Sequence, residues 1–506
     1  MLWIDAICID QENIAERGHQ VSIMYEVYSK TSHNCVYLGP DNGNMTKVVQ
    51  SMDAILREIS VASRGYADAD AVLLEPQRRD EKPDVPFAID IAQSGLLEFF
   101  ENPWFTRLWV VQEASLSRIS TCYSGQVHLP LGGVLRVAAW LILKWHQLPV
   151  RTTEAQIHGI ANAAHMLFAA RSHYRVRWTM WGFLARFAGL ESSDRRDAVF
   201  ALIALWQMYS QTSVLPATLK PEYTLSVSEV FTNACKFAIQ ETSDLSLLQE
   251  VCASPTGKED ESWPSWVPVL DRKVYDDRYP WKLRGGFKAD NRSHMRLLNC
   301  TVGSDALEVA GVLVDEVTHV TSTPTRFSAS AINNLIASTE GLRAQTSWVD
   351  DLRGGSETRA SLVLQGGGLY NTTRVTDQEA LQGLQSFKSH VKDHDSLPPF
   401  ISRLGPNASD NERVAAYYFK ALRDATWRRA VFNTKDGHLG LGPEYTQPGD
   451  ILAILYGCQW PVVMRPFPTP GEYTFLECSY VYGIMDGEAV LRHKELGRED
   501  DIFRII

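Results

Sequence analysis

No stretch of the 506-residue chain approaches the roughly 20 uninterrupted apolar residues that a bilayer-spanning helix requires. The longest candidate, Ile451–Met464, is broken by Gly457, Gln459 and Pro461 and reads as two short buried strands with a turn between them. Asp5 stands where the apolar part of a secretory leader would lie, with no basic residue ahead of it, so a cytoplasmic location is expected. None of the 8 cysteines forms a CxxC pair, and without export they are expected to be reduced, packed thiols. Basic residues are in deficit, 49 against 60 acidic, for a net charge of −11. That balance excludes wholesale nucleic-acid binding and a polybasic membrane anchor. There is no HExxH or regular Cys/His spacing, so no metal site is expected. There is also no Walker A lysine and no GxSxG elbow. Gly366-Gly367-Gly368 lacks the strand and helix that would make it a dinucleotide loop, so no resident cofactor is expected.

What is present is an ordinary globular composition, 45 % hydrophobic and 22 % charged, enough for more than one core. Leu2–Asp10 is a compact apolar run closed by an acid and predicts a buried parallel strand. Asn13 with Glu16 predicts a capping box, and Val21, Met24, Tyr25 and Tyr28 follow at helical spacing. Val36–Leu38, stopped by Gly39-Pro40, predicts a second strand, adjacent or near-adjacent and parallel to the first in a βαβ unit. Asn102-Pro103 supplies an N-cap and an N1 proline for a helix with Phe105, Leu108, Trp109, Gln112 and Leu116 on one side. Ser120–Gly125 is a candidate third strand. Leu129 to Trp206 reads as mostly helical, and Leu307–Val320 as a strand with a bulge. Asp450–Tyr456, Val462–Arg465 and Tyr473–Tyr482 read as short strands.

The expected division is therefore an α/β region over 1–128, a mainly helical region over 129–254, a linker over 255–292 and a C-terminal α+β region over 293–506. Two charged clusters stand out. Asp194-Arg195-Arg196-Asp197 reads either as the cap and first turn of a helix or as an ion-pair cluster. Arg171, His173, Arg175 and Arg177 alternate with Tyr174, Trp178 and Trp181; in an acidic chain this is a partly solvated amphipathic helix before it is a nucleic-acid strip.

Several segments together resemble the fungal heterokaryon-incompatibility (HET) domain family. They are Leu2–Gln11 (LWIDAICIDQ), Gln20–Tyr28 with Val36–Pro40, Asn102–Ala114 (NPWFTRLWVVQEA) and Asp194–Leu205. Pro264–Pro268 (PSWVP) and Gly483–Glu488 (GIMDGE) are similar to elements that fungal members carry further on. The match is dense over the first 120 residues and thin beyond, and the first strand and helix of the domain are expected to be missing. The resemblance implies an incomplete parallel sheet like that of Toll/interleukin-receptor (TIR) domains and flavodoxins. Some TIR domains cleave NAD with a Glu four residues after a Trp, the spacing of Trp109 and Glu113. The other reading packs Trp109 in the core and pairs Glu113 with an Arg or a cap. By the same resemblance Asp5 and Asp10, flanking the first strand, are candidate ligand contacts, or Asp10 opens the turn and caps the next helix.

The functions implied are nonself recognition and cell-death signalling through a protein partner or self-association. The alternatives are NAD glycohydrolysis at Glu113, with NAD as substrate, or a non-lethal accessory paralogue. Without the first strand the non-enzymatic readings are preferred.

Overall fold

The computed structural model describes residues 3–63, 70–74, 86–149, 151–171, 178–212, 214–251, 263–271, 286–295, 297–299, 305–342, 355–368, 374–399, 404–405 and 407–506. These fall into two units, Met1–Ala238 with Leu270–Lys273, and Ile239–Val269 with Val274–Ile506. No helix among the described residues is long and apolar enough to cross a membrane.

The first unit runs α1 (Asp5–Cys8), α2 (Ile14–Lys30), β1 (Asn34–Tyr37), α3 (Met45–Ala62), α4 (Ala71–Leu74), α5 (Leu96–Phe100) and α6 (Val110–Leu116). It continues with β2 (Ser120–Ser124), β3 (Val127–Pro130), α7 (Leu131–Leu143), α8 (Glu154–Ala170), α9 (Met180–Phe187), α10 (Asp197–Ser210) and α11 (Val227–Thr242). The expected strands at Val36 and Ser120 form and lie side by side, parallel, with Val36 opposite Cys122. β3 then pairs β2 antiparallel. The sheet is thus a mixed, three-stranded one, and the flavodoxin-like parallel sheet is not formed among the described residues.

The Leu2–Asp10 strand is a correction. Asp5–Cys8 is a helical turn, closed by the Ile7 and Cys8 N–H groups on the Ile4 carbonyl. Among the described residues of this run, 3–10, only Ile9 is buried, and Ile7 is 77 % exposed. A strand needs a neighbour for its N–H and C=O groups. No strand among the described residues pairs this segment, and its described backbone closes a local turn instead.

Helices cover the rest of the unit by their apolar stripes. Val48, Met52, Ile55 and Ile59 make one face of α3, which packs on α7. α8 opens with a capping box, Thr153 and Gln156 answering each other. Of the basic-aromatic cluster, His173, Tyr174, Arg175 and Arg177 lie outside the described residues. Trp178 is buried and stacks on Phe183 with ring centroids 4.8 Å apart, and Arg171 pairs with Asp70 at 2.7 Å.

The second unit is built from β4 (Leu297–Asn299), β5 (Leu307–Ser322), α12 (Ala329–Gly341), α13 (Ser356–Leu364), α14 (Asp377–His394) and α15 (Asp410–Thr426). There follow β6 (Arg429–Thr434), β7 (Leu439–Pro443), β8 (Ile451–Leu455), β9 (Pro461–Pro466), β10 (Glu472–Cys478), β11 (Tyr480–Val481), α16 (Glu488–Glu495) and β12 (Asp501–Ile505). β5 pairs β12, β12 pairs β10, β10 pairs β9, β9 pairs β8, and β8 returns to β5, so five strands close a ring. The far end of β5 leaves the ring and pairs β6, which continues to β7 and β11.

One strand serves four neighbours, β4, β12, β8 and β6, and its register shifts between Leu313 and Asp315 and again between Val317 and His319, the bulge expected from its pattern. Gly311 sits where β12 and β8 both meet β5; a Cβ there would lie 2.2 Å from the Ile454 carbonyl oxygen. Ala310, Val312, Leu452, Ile454, Val463 and Leu476 fill the centre. The Pro264–Pro268 segment pins the ring shut. The Trp266 indole donates to the Asp305 carbonyl at 2.9 Å, the Ser265 N–H donates to the Ile506 carbonyl at 3.0 Å, and the Ser265 hydroxyl accepts from the Phe475 N–H at 2.8 Å. The triple glycine is a turn: Gly367 has φ +66° and lies against the Tyr480 ring, with no room for a Cβ.

Candidate functional site

The first unit encloses a cavity of about 750 Å³ lined by side chains from α1, α2, the approach to α6, the approach to α10, and Tyr223. This lies in the range of small-ligand sites. Local sequence builds each wall. The Asn13 side chain accepts the Glu16 N–H at 3.1 Å and starts α2, although Glu16 reaches back to Asp10 rather than closing the expected box. Val21 and Met24 are the buried residues of α2, and Arg17 and Tyr28 also line the cavity.

The Asn102-Pro103 helix also departs from expectation. Asn102 caps a 3-10 turn over Pro103–Thr106, and the chain then goes extended at Arg107 before α6 begins. The break is held by a neighbour: the Leu108 N–H donates to the Glu191 carbonyl at 2.9 Å and the Glu191 N–H to the Thr106 carbonyl at 2.7 Å. Those bonds give the interrupted backbone partners that a helix would otherwise supply. They also set Arg107 and Trp109 on the cavity wall while Phe105 and Leu108 stay in the core.

Glu113 stands one turn beyond Trp109, and both line the cavity. Burial pushes the Glu113 carboxyl above the usual carboxylate range. The Arg107 guanidinium pulls the other way, Asp5 adds to the rise, and the hydrogen bond with the Tyr28 hydroxyl opposes it. Burial, with the Glu113 charge next, pushes the Tyr28 hydroxyl far up in turn.

Across the cavity Asp197, in the first turn of α10 and 7 % exposed, accepts the Trp109 indole N–H at 3.0 Å and the Tyr223 hydroxyl at 2.6 Å. Burial lifts this carboxyl to about 6 against the two hydrogen bonds. Burial also works on Asp194, but the Arg196 hydrogen bonds, with the charges of Arg196 and Arg17, hold it below the usual range. Arg17 pairs with Asp194 at 3.1 Å and lies 3.7 Å over the Tyr223 ring. Both readings of Asp194–Asp197 therefore hold in part: Asp197 is a first-turn acid, and the cluster is an ion-pair network, extended by Arg195 on Asp271.

Of the residues singled out from sequence, Trp109, Glu113 and Asp5 line the one cavity. Asp10 is exposed outside its lining, where it accepts the Glu12 N–H at 3.1 Å, as the turn reading expects. Arg17, Tyr28, Arg107, Asp197 and Tyr223 were not singled out as site residues. Arg107 and Asp197 stood inside noted motifs; nothing in the chain's order marks Arg17 or Tyr223 as their neighbours. No group of three His, Cys, Asp or Glu among the described residues could hold a metal ion.

The α/β unit whose opening segment frames an acidic cavity and the helix-decorated barrel that follows it in the chain each match a model of fungal heterokaryon-incompatibility proteins, and together with a curated relative they support a protein of that family. Residues 1–113 match the family described as heterokaryon incompatibility protein (HET), and residues 402–503 match the Het-6 β-barrel domain. Among curated proteins the chain is similar to heterokaryon incompatibility protein 6, OR allele, of Neurospora crassa, with 22 % identity across 96 % of this chain and 81 % of that one. No solved structure matches.

Proposed function

We propose that this chain acts in the cytoplasm in fungal nonself recognition, through contacts with a protein partner or a second copy, and that its output is growth arrest or cell death. One observation supports placing the working part in the first unit. The family-matched segment 1–113 ends on Glu113 and contains Asp5, Arg17, Tyr28, Arg107 and Trp109, all facing one cavity. Regulated expression of the 506-residue chain in a fungal host tests the reading. Arrest is expected, and unimpaired growth at confirmed protein levels removes it.

A second reading, NAD glycohydrolysis, is favoured by the placement of Glu113 on the cavity wall one turn beyond Trp109. The nicotinamide–ribose bond breaks with its electron pair leaving on nicotinamide, and water supplies hydroxyl to the ribose carbon and a proton to solvent. An ionised carboxylate beside that carbon stabilises the oxocarbenium-like transition state. Glu113→Gln keeps size and hydrogen bonding but loses the charge. It should lower NAD consumption by about 30- to 1000-fold, the scale of about 2–4 kcal/mol for other electrostatic deletions. Equal arrest by wild type and Glu113→Gln would end the catalytic reading and leave the signalling one.

A further inference from the structure

We infer that the ligand of the N-terminal cavity carries a phosphate group and that Arg107 is the residue that receives it. This rests on reading the cavity as a ligand site. Two guanidinium groups line it, and only one is committed. Arg17 is ion-paired with Asp194 and stacked on Tyr223. Arg107 makes no side-chain hydrogen bond among the described residues, and no described carboxylate lies within ion-pair distance of it, although Glu113 and Tyr28 feel its charge. A guanidinium left with its planar fork of donors open at a cavity wall is suited to bidentate recognition of an oxyanion, phosphate above all.

The backbone that presents Arg107 is fixed before any ligand arrives. Residue 107 is extended between the 3-10 turn and α6 and bridged to Glu191. Recognition therefore costs little reorganisation. A cavity of about 750 Å³ exceeds what a bare ion needs, and Tyr28, Trp109 and Tyr223 add aromatic surface to its lining. Asp5 and Glu113 also set a polarity. An anion beside Glu113 would meet like charge, so the phosphate belongs on the Arg107 side and an uncharged or cationic group faces Glu113.

The test is calorimetric titration of the 506-residue chain with ADP-ribose, inorganic pyrophosphate, adenosine and succinate. ADP-ribose and pyrophosphate should bind, and Arg107→Gln should weaken both by roughly 10- to 100-fold, the range for a charge-assisted hydrogen bond. Adenosine binding should be unchanged in that variant. Arg107→Lys, which keeps the charge and loses the fork, should fall between wild type and Arg107→Gln, and circular dichroism should show both variants folded. Failure of wild type to bind either phosphate probe, equal binding by Arg107→Gln, or binding of succinate alone would each overturn the inference. The readout is binding, so an inactive but ADP-ribose-binding chain would sink NAD cleavage and leave Arg107 standing.

Discussion

Inside the C-terminal barrel Arg429 and Glu477, each 9 % exposed at the side chain, face each other at 2.9 Å. Asp450, with no exposed side-chain surface, takes two hydrogen bonds from Arg465 at 2.8 and 3.1 Å. In the first unit's cavity Asp194 is likewise paired with arginines, but two other acids are treated differently. Asp197 is held by two neutral donors, an indole and a phenol, and Glu113 has a phenol and a more distant cation. Two opposite charges at contact distance offset each other's desolvation and act as part of the frame. A buried carboxyl held mainly by neutral donors is compensated less fully for its desolvation, so burial keeps it above the usual carboxylate range. The contrast separates acids that hold a fold together from acids available to a ligand.

The largest expected effect is on the barrel side of this contrast. Glu477→Ala removes the carboxylate that faces the buried Arg429 guanidinium, leaving it carbonyl contacts such as that to Cys478, and should destabilise the second unit by about 3–5 kcal/mol. Chemical denaturation followed by a probe of the second unit measures it. A loss under about 1 kcal/mol would mean that the pair is no more structural than the cavity acids.

Next in size is the pH dependence of Asp197. Its folded value of about 6 lies above the usual 3.8, so the folded form binds more protons between those values. Its contribution to stability is therefore fully present below about pH 4 and is lost as pH rises through 6, on the order of 2–3 kcal/mol. Unfolding of wild type and Asp197→Asn across pH 4–7 should show a downward slope in the first that is reduced in the second. Matching slopes would place Asp197 among the charge-matched acids. The smallest effect sets a floor for the comparison. Asn13→Ala removes a cap that belongs to neither class and should cost about 1 kcal/mol at any pH in that range.

What could be read from sequence was whatever depends on near neighbours. The β5 bulge, the three strands from Asp450 to Tyr482 and the Asn13 cap are written in period and capping chemistry, and all are present. The pairing of Trp109 with Glu113 on one wall follows from helical spacing. The failures are tertiary. Leu2–Asp10 has the composition of a core strand but finds no strand to pair with. The helix after Asn102 breaks because Glu191, 84 positions beyond Arg107, competes for its backbone. Tyr223 and Arg17 reach the site through contacts no local pattern encodes.

The strand that closes the barrel ring, β12, follows every other ring strand in chain order, and its partner β5 lies almost two hundred residues earlier. During synthesis at about 5–20 residues per second, β5 waits on the order of ten seconds or more before β12 emerges to cover it. Until then β5 and β10 each present an unpaired edge, the form most open to capture by another chain. Of the Ser265 contacts, the one to Phe475 on β10 is available earlier, and the one to the Ile506 carbonyl forms only once β12 has been made. Ring closure is therefore the last of the ring's pairings to become possible, and the open edges of the barrel stay uncovered until β12 has been made.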